Sequence, residues 1–301
     1  MTGCVLVIGE SVIDIVRRAD GAVEEVVGGS PANVALGLAR LGVRVRFHTA
    51  LARDAHGERV GRHLTAAGVE VVVASWSLGA TSTALAQIGA DGAARYTFDV
   101  DWSLPTEPDP GGAAIIHVGS ISAFLDPGAL VVEQTVSTAD QDTLITLDPN
   151  IRAALLPDRA DAVARFQRLA ALADIVKLSD EDAAWLYPGE REEVVVRRLL
   201  ARGPRLVALT RGSSGALLAS RGGNRLVSAP SVRVRDTVGA GDTFMAALIA
   251  QVVRGPSVLD ELDPHALDAI GTFAVTAAAI TVQRAGADVP TEGEVRQALA
   301  R

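Results

Sequence analysis

The sequence predicts an α/β fold: a central, mostly parallel sheet flanked by helices, with a small β-strand lid. Three observations carry this expectation. Apolar runs of strand length alternate with helical patterns over most of the 301 residues. Two stretches, 11–27 and 81–100, break that rhythm with short alternating segments cut by turn residues. Near the carboxyl end a bare glycine turn, Gly239-Ala240-Gly241, runs straight into an apolar helix.

The elements follow in chain order. A first strand is expected over Val5 to Ile8, then the first lid segment, a helix over Pro31 to Leu41, a strand over Val43 to His48 and a helix over Gly57 to Ala67. The second lid segment turns at Ala90-Asp91-Gly92 and returns to the sheet through Pro105 to Gly112. Strands at Ala114 to Val118, Leu144 to Leu147, Ile175 to Leu178 and Leu206 to Leu209 are then separated by helices at Gly128 to Ser137, Arg159 to Leu172 and Val194 to Ala201. Such βα alternation implies a parallel sheet covered by helices. Gly215 to Ser220 and Arg225 to Ala229 read as a hairpin around Arg221-Gly222-Gly223-Asn224, and helices Asp242 to Val253 and Pro264 to Val282 close the fold. One domain over 1–301 accounts for the whole pattern.

Composition removes several function classes. With 28 basic and 36 acidic side chains the net charge is −8 and basic residues form no long cluster, which argues against nucleic acid as a partner. Cys4 is the only cysteine, so an internal disulfide and thiolate metal clusters are excluded; it reads as a small buried hydrophobe in a reducing, cytoplasmic setting. Neither a leader nor an apolar stretch of about 18 residues occurs, so no membrane partner is expected. Lys177 is the only lysine, and neither a Walker-type loop nor the protein-kinase set surrounds it. No Gly-x-Gly-x-x-Gly follows the first strand, which disfavours a nicotinamide site. His48, His56, His63, His117 and His265 fall on separate elements and read as structural.

Chemistry concentrates at the glycine turn. A helix start leaves N–H groups unpaired and carries about half a positive charge, while Gly239, Ala240 and Gly241 have no bulk to keep a phosphate away. Asp242, in the first turn, is placed to accept a proton from an attacking hydroxyl. Read alone, the segment also suits a tight turn followed by a helix-start carboxylate.

Asp236-Thr237-Val-Gly-Ala-Gly-Asp242 resembles the carboxyl-terminal signature of the ribokinase-like sugar kinases, the PfkB family. About 200 residues upstream, Gly28-Gly29-Ser30-Pro31-Ala32-Asn33-Val34-Ala35 resembles that family's amino-terminal signature. The resemblance implies an ATP- and Mg2+-dependent kinase with Asp242 as base, and a sugar site made by Asp14, Gly28, Gly29 and Asn33. Asp148-Pro-Asn150-Ile-Arg152 is similar to a fructokinase segment facing the transferred phosphate. Lys177-Leu-Ser179-Asp-Glu181-Asp182 resembles the Asn-x-x-Glu element that organises magnesium through water. Either Asp182 or Glu181 fills that role, and Ser179 with Asp182 reads equally as a capping box. Thr210, Gly212 and Gly215 resemble the nucleotide-binding turn, Gly286 and Ala287 the adenine-side loop, and Asp236 a ligand of a monovalent cation such as K+.

The wording of these motifs resembles the fructokinase branch, so fructose to fructose 6-phosphate is the expected reaction. The alternatives are 2-keto-3-deoxygluconate or ribose as acceptor and, from another class, a non-catalytic sugar or nucleotide sensor. Tyr96 and Phe98 on the lid are candidates to pack on a sugar face or to form the lid's own core, and a homodimer through the lid is a family expectation.

Overall fold

Val5 and Val7 point to one side of the first strand, β1 (Val5–Ile8), and Leu6 and Ile8 to the other, and all four are fully buried. A strand apolar on both faces needs cover on both, and the chain supplies it with helices. The computed structural model describes residues 3–300 apart from 19, 89–93, 157, 256–258 and 261. The Ala90-Asp91-Gly92 turn lies outside the described residues.

After β1 come β2 (Val12–Arg17), β3 (Val23–Gly28), α1 (Ser30–Arg40), β4 (Val45–His48), β5 (Leu51–Ala52), α2 (Ala55–Ala66), β6 (Glu70–Val71), β7 (Trp76–Leu78), β8 (Thr83–Ile88) and β9 (Ala94–Asp99). The next stretch holds β10 (Ile115–Gly119), α3 (Gly128–Ser137), β11 (Leu144–Asp148), α4 (Arg159–Leu172), β12 (Ile175–Ser179), α5 (Asp180–Leu186) and α6 (Glu192–Leu200). The chain ends with β13 (Leu206–Thr210), β14 (Ala216–Ser220), β15 (Gly223–Val227), α7 (Ala240–Arg254), α8 (Pro264–Thr281) and α9 (Glu292–Leu299).

Among the described residues, nine strands form the main sheet in the order β15-β14-β13-β12-β11-β10-β1-β4-β6. From β13 to β6 neighbours run parallel, and β14 and β15 add an antiparallel edge. Helices α1, α2, α7, α8 and α9 bury their apolar faces on one side and α3 to α6 on the other. Strand order reverses between β1 and β10, and the crevice outside the carboxyl ends at such a reversal is where open α/β sheets take ligands.

The lid is a second sheet of four strands, β3-β2-β8-β9. Register places Val26, Asp14, Ala84 and Phe98 in one cross-strand row, so these side chains share a face. Phe98 and Val26 on that face are exposed, whereas Ile13 and Ile15 on the opposite face pack into the core.

Four details correct the sequence reading. The hairpin turn is shorter than expected: Ser220 pairs with Gly223 and the Gly222 N–H donates to Ser220 Oγ, so β15 spans Gly223–Val227. The helix at Asp242 begins at Ala240. A further helix, α9, follows the two that were expected to close the fold, held by a reciprocal capping box between Thr291 and Glu294. Cys4 is only half-buried.

Candidate active site

Two helix starts meet at one carboxylate. Gly29, with φ +102°, lets the chain turn sharply into α1, and a Cβ there would sit 2.7 Å from the Glu10 carbonyl oxygen. Gly239, with φ +77°, does the same for α7, and its Cβ would meet Cβ of Ala287 at 2.6 Å. Asp242, at the third position of α7 and only 7% exposed, accepts from Ser30 Oγ at 2.6 Å and from Asn33 Nδ2 at 2.8 Å. Both donors lie on the first turns of α1. The starts of α1 and α7 therefore flank a potential base.

Lys177 joins this cradle from the sheet. Its Nζ stands 3.1 Å from where a Cβ of Gly241 would be, and it donates to Asp148 Oδ2 at 2.8 Å. The pair is almost wholly buried. Burial pushes the Asp148 carboxyl up to about 6 against the pull of the Lys177 ammonium. Burial also works to lower the Lys177 pKa, but Asp148, Asp182 and Asp242 outweigh it and raise the value. Asp148 Oδ1 is buried with no hydrogen-bond partner among the described residues.

Asp182 ties the Asp148-Pro-Asn-Ile-Arg loop to α5. Its Oδ1 accepts the Ile151 N–H at 2.7 Å and its Oδ2 the Ser179 N–H at 2.9 Å, while Ser179 Oγ accepts the Asp182 N–H. The capping-box reading of Ser179 and Asp182 is thus present in the structure. Glu181 stands beside it in the first turn of α5. Asn150 occupies the left-handed region at φ +35°, which asparagine tolerates better than most residues.

Asp14 projects from β2 over Gly28, whose missing side chain leaves room for it: a Cβ on Gly28 would lie 2.1 Å from Asp14 Oδ2. Solvent reaches Asp14, yet the cleft walls desolvate its carboxyl and raise its pKa, opposed by the charge of Arg152. Thr210 continues the line of strand ends, paired with Ser179, and Gly212 and Gly215 form a turn closed by the Arg211 N–H to the Gly215 carbonyl. Asp236 binds the two carboxyl-terminal loops together, accepting from Val238 N at 3.0 Å and Gly286 N at 2.8 Å, and these donors hold its pKa low. The nucleotide-turn residues therefore border the Asp242 cradle through β12 and β13, without touching Asp242 directly in the hydrogen bonds of the structure. Side-chain placement of Tyr96 lies outside the described residues.

Sequence reasoning gave no role to Ser30 or Glu10. Ser30 was visible only as a letter inside a motif; its bond to Asp242 spans 212 positions. Glu10, 4% exposed at the end of β1, accepts the Ser122 N–H at 3.1 Å, and burial pushes its pKa up to about 7 against the hydrogen bonds of Ser120 and Ser122. Because the folded value exceeds the ordinary 4.5, the native state binds the proton more tightly than the unfolded chain. Stability is then full below about pH 4.5 for this group and falls as pH rises through about 7, by up to about 3 kcal/mol. Glu10→Gln is expected to flatten that loss, read as urea midpoints at about pH 5 and pH 8 in both proteins; parallel pH profiles would contradict it. Two histidines are also held neutral by burial, His117 at about 3 and His48 at about 4.

Sheet, lid and glycine turn define a ribokinase-like fold. The solved fructokinase of Xylella fastidiosa with bound ATP superposes with a TM-score of 0.87 at 24% identity, over 100% of this chain and 99% of that chain. A putative ribokinase II from E.coli in complex with ATP and Mg+2 gives 0.83 at 23%, over 99% of each. In sequence the chain is 33% identical to the fructokinase of Klebsiella pneumoniae, covering 99% of this chain and 100% of that one. Residues 4–293 match the description pfkB family carbohydrate kinase. The chain belongs to that family, and it is a sugar kinase.

Proposed function

We propose that the protein transfers the γ-phosphoryl group of ATP to a hydroxymethyl group of fructose, giving fructose 6-phosphate and ADP. The observation that carries the reading is the placement of Asp242, a buried carboxylate at the start of α7 behind the glycine turn. The sugar hydroxyl oxygen attacks the γ-phosphorus, the bond to the bridging oxygen of the departing ADP breaks, and the hydroxyl proton passes to Asp242. The N–H groups of Gly239 and Gly241 take the developing negative charge, with Lys177 beside Gly241, while the Ala240 N–H is directed at the Thr237 carbonyl. Asp14, Gly28, Gly29 and Asn33 orient the sugar, and Phe98, in the same row as Asp14, covers it from the lid.

Among the described residues no group of three or more His, Cys, Asp or Glu side chains forms a metal cage. That suits Mg2+, which keeps several waters and is held mainly by substrate phosphates. Asp148, with its unpartnered Oδ1, and Asp182 are the carboxylates that would meet its water shell, with Glu181 the neighbouring candidate. Bound there, magnesium neutralises phosphate charge. The hard oxygen of Asp236, held ionised by backbone donors, fits a monovalent cation such as K+ beside the Gly286-Ala287 loop. Thr210, Gly212 and Gly215 border the nucleotide.

The fructose assignment rests on the similarity to the Klebsiella pneumoniae fructokinase over its full length. Arg152, whose charge acts on Asp14, favours a second reading in which the acceptor carries a carboxylate, as 2-keto-3-deoxygluconate does. Comparing kcat/KM for the two acceptors, with the product identified by phosphorus NMR, tests the choice: a preference for fructose supports the first reading and a preference for the acid the second. A homodimer through the lid is the expected assembly. Light scattering should give about twice the 31.2 kDa chain mass, and a value near the chain mass at micromolar concentration would contradict it.

A further inference from the structure

The chain passes between the main body and the lid four times, before β2, after β3, before β8 and after β9. All four crossings are joined at Glu10. The Ile13 N–H, at the entry to β2, donates to the carbonyl of Ser82, the residue before β8. Ser82 Oγ accepts the Asp101 N–H at 3.0 Å and donates to the Asp101 carbonyl at 3.2 Å, just after the chain leaves β9. Trp102 Nε1 then donates to the Ser122 carbonyl at 2.9 Å, and the Ser122 N–H donates to Glu10 Oε2 at 3.1 Å, so the ring closes at the end of β1. The fourth crossing rests on the same residue: a Cβ at the Gly29 turn would stand 2.7 Å from the Glu10 carbonyl oxygen. An apolar side chain could not close this ring. Ser122 is fully buried in the first turn after β10, where N–H groups have no partner within the turn, and a buried N–H left without an acceptor is costly. Ser120 holds that turn at φ +55°, a left-handed conformation unfavourable for serine that persists only where its surroundings enforce it. Glu10 supplies the missing acceptor at the point where the strand order reverses.

We propose that Glu10 is a positioning residue that fixes the lid root against the sheet and so sets the distance between the sugar-binding carboxylate and the base. Asp14 lies four residues beyond Glu10 along β2, the strand that the ring anchors. Asp242 is tied to the same point from the other side, because Ser30, which follows the Gly29 turn, donates to its Oδ1 at 2.6 Å. The sugar has to reach both carboxylates at once, and a misplacement of about 1 Å can cost about 10² in rate. Glu10 itself is buried, with its carboxyl committed to Ser120 and Ser122, so it acts through the backbone it holds. This role rests on the kinase reading above, which gives Asp14 and Asp242 a common ligand.

The test compares wild type, Glu10→Ala, Glu10→Gln and Trp102→Phe by steady-state kinetics with Mg-ATP and the preferred acceptor among fructose, ribose and 2-keto-3-deoxygluconate. Calorimetric sugar binding and thermal melts are run on the same proteins. Glu10→Ala removes the acceptor, and its sugar KM should rise about tenfold while KM for ATP stays within about twofold. Glu10→Gln keeps an acceptor oxygen for Ser122 and places an N–H where the protonated acid has its O–H, so it should restore the wild-type sugar KM. Trp102→Phe keeps an aromatic ring in the core but breaks the ring of bonds from the lid side, and its sugar KM should rise about threefold. A lowered Tm in Glu10→Ala with an unchanged sugar KM would mark Glu10 as stabilising only and overturns the proposal, as does a Glu10→Gln protein that fails to restore the sugar KM. Should Glu10→Ala not fold, Trp102→Phe decides: a raised sugar KM sustains the positioning role and an unchanged one overturns it. Wild type that binds sugar without releasing ADP overturns the kinase reading alone, and the sugar Kd then replaces KM in the same comparison. Wild type that binds none of the sugars overturns both.

Discussion

Asp242→Ala is expected to lower kcat by about 10² to 10⁴, the range for removing a positioned general base, while ATP binding is retained. The carboxylate is small, buried and bonded to Ser30 and Asn33, so its loss leaves two donors without their acceptor. Some destabilisation accompanies the change, and Asp242→Asn, which preserves volume and one acceptor oxygen, separates the two effects. Steady-state kinetics with thermal melts on both variants checks this. If folded Asp242→Asn retained more than about a tenth of wild-type kcat, the carboxylate would not be the base.

Lys177→Met should have the largest effect on stability. Lys177 and Asp148 form a buried pair at 2.8 Å, and removing the ammonium leaves a buried carboxylate near Asp182 and Asp242 with neither oxygen paired to a cation. Breaking such a pair costs about 3 kcal/mol or more, even though protonation of Asp148 relieves part of the loss. For 301 residues that is a fall in Tm of roughly 5 °C. The double variant Lys177→Met with Asp148→Asn should recover much of it, because no charge is then stranded; calorimetry on the two single variants and the double variant closes the cycle. Additive losses would show that the pair is not coupled. Catalysis should fall in Lys177→Met as well, since Nζ lies beside Gly241 in the phosphate cradle.

Much of the scaffold is legible in the sequence because period and punctuation are local. The bounds of α3 and α4 are those expected from their apolar repeats, and Gly239 and Gly241 announce a helix start by lacking side chains. Strands of two or three residues, such as β5, β6 and β7, are too short to show a period. Helix α9 had a usable signal in Thr291 and Glu294, spaced as a capping box, but its eight residues carry little apolar pattern. Within the site, motifs name the participants and not their partnerships. Nothing near Ser30 in sequence indicates that its hydroxyl reaches Asp242, and nothing near Glu10 indicates that it is buried among the serines of the turn after β10. The Lys177–Asp148 pair depends on β11 and β12 being neighbours, a fact of sheet order. Such contacts arise when distant segments pack, so local spacing leaves no trace of them.

The most direct test of the central claim is ADP release with Mg-ATP across fructose, ribose, 2-keto-3-deoxygluconate, adenosine and no acceptor, run with and without K+. The account predicts acceptor-dependent turnover, highest with fructose. The absence of turnover with every acceptor, despite measurable ATP binding, would contradict it and favour a sugar or nucleotide sensor built on the same fold.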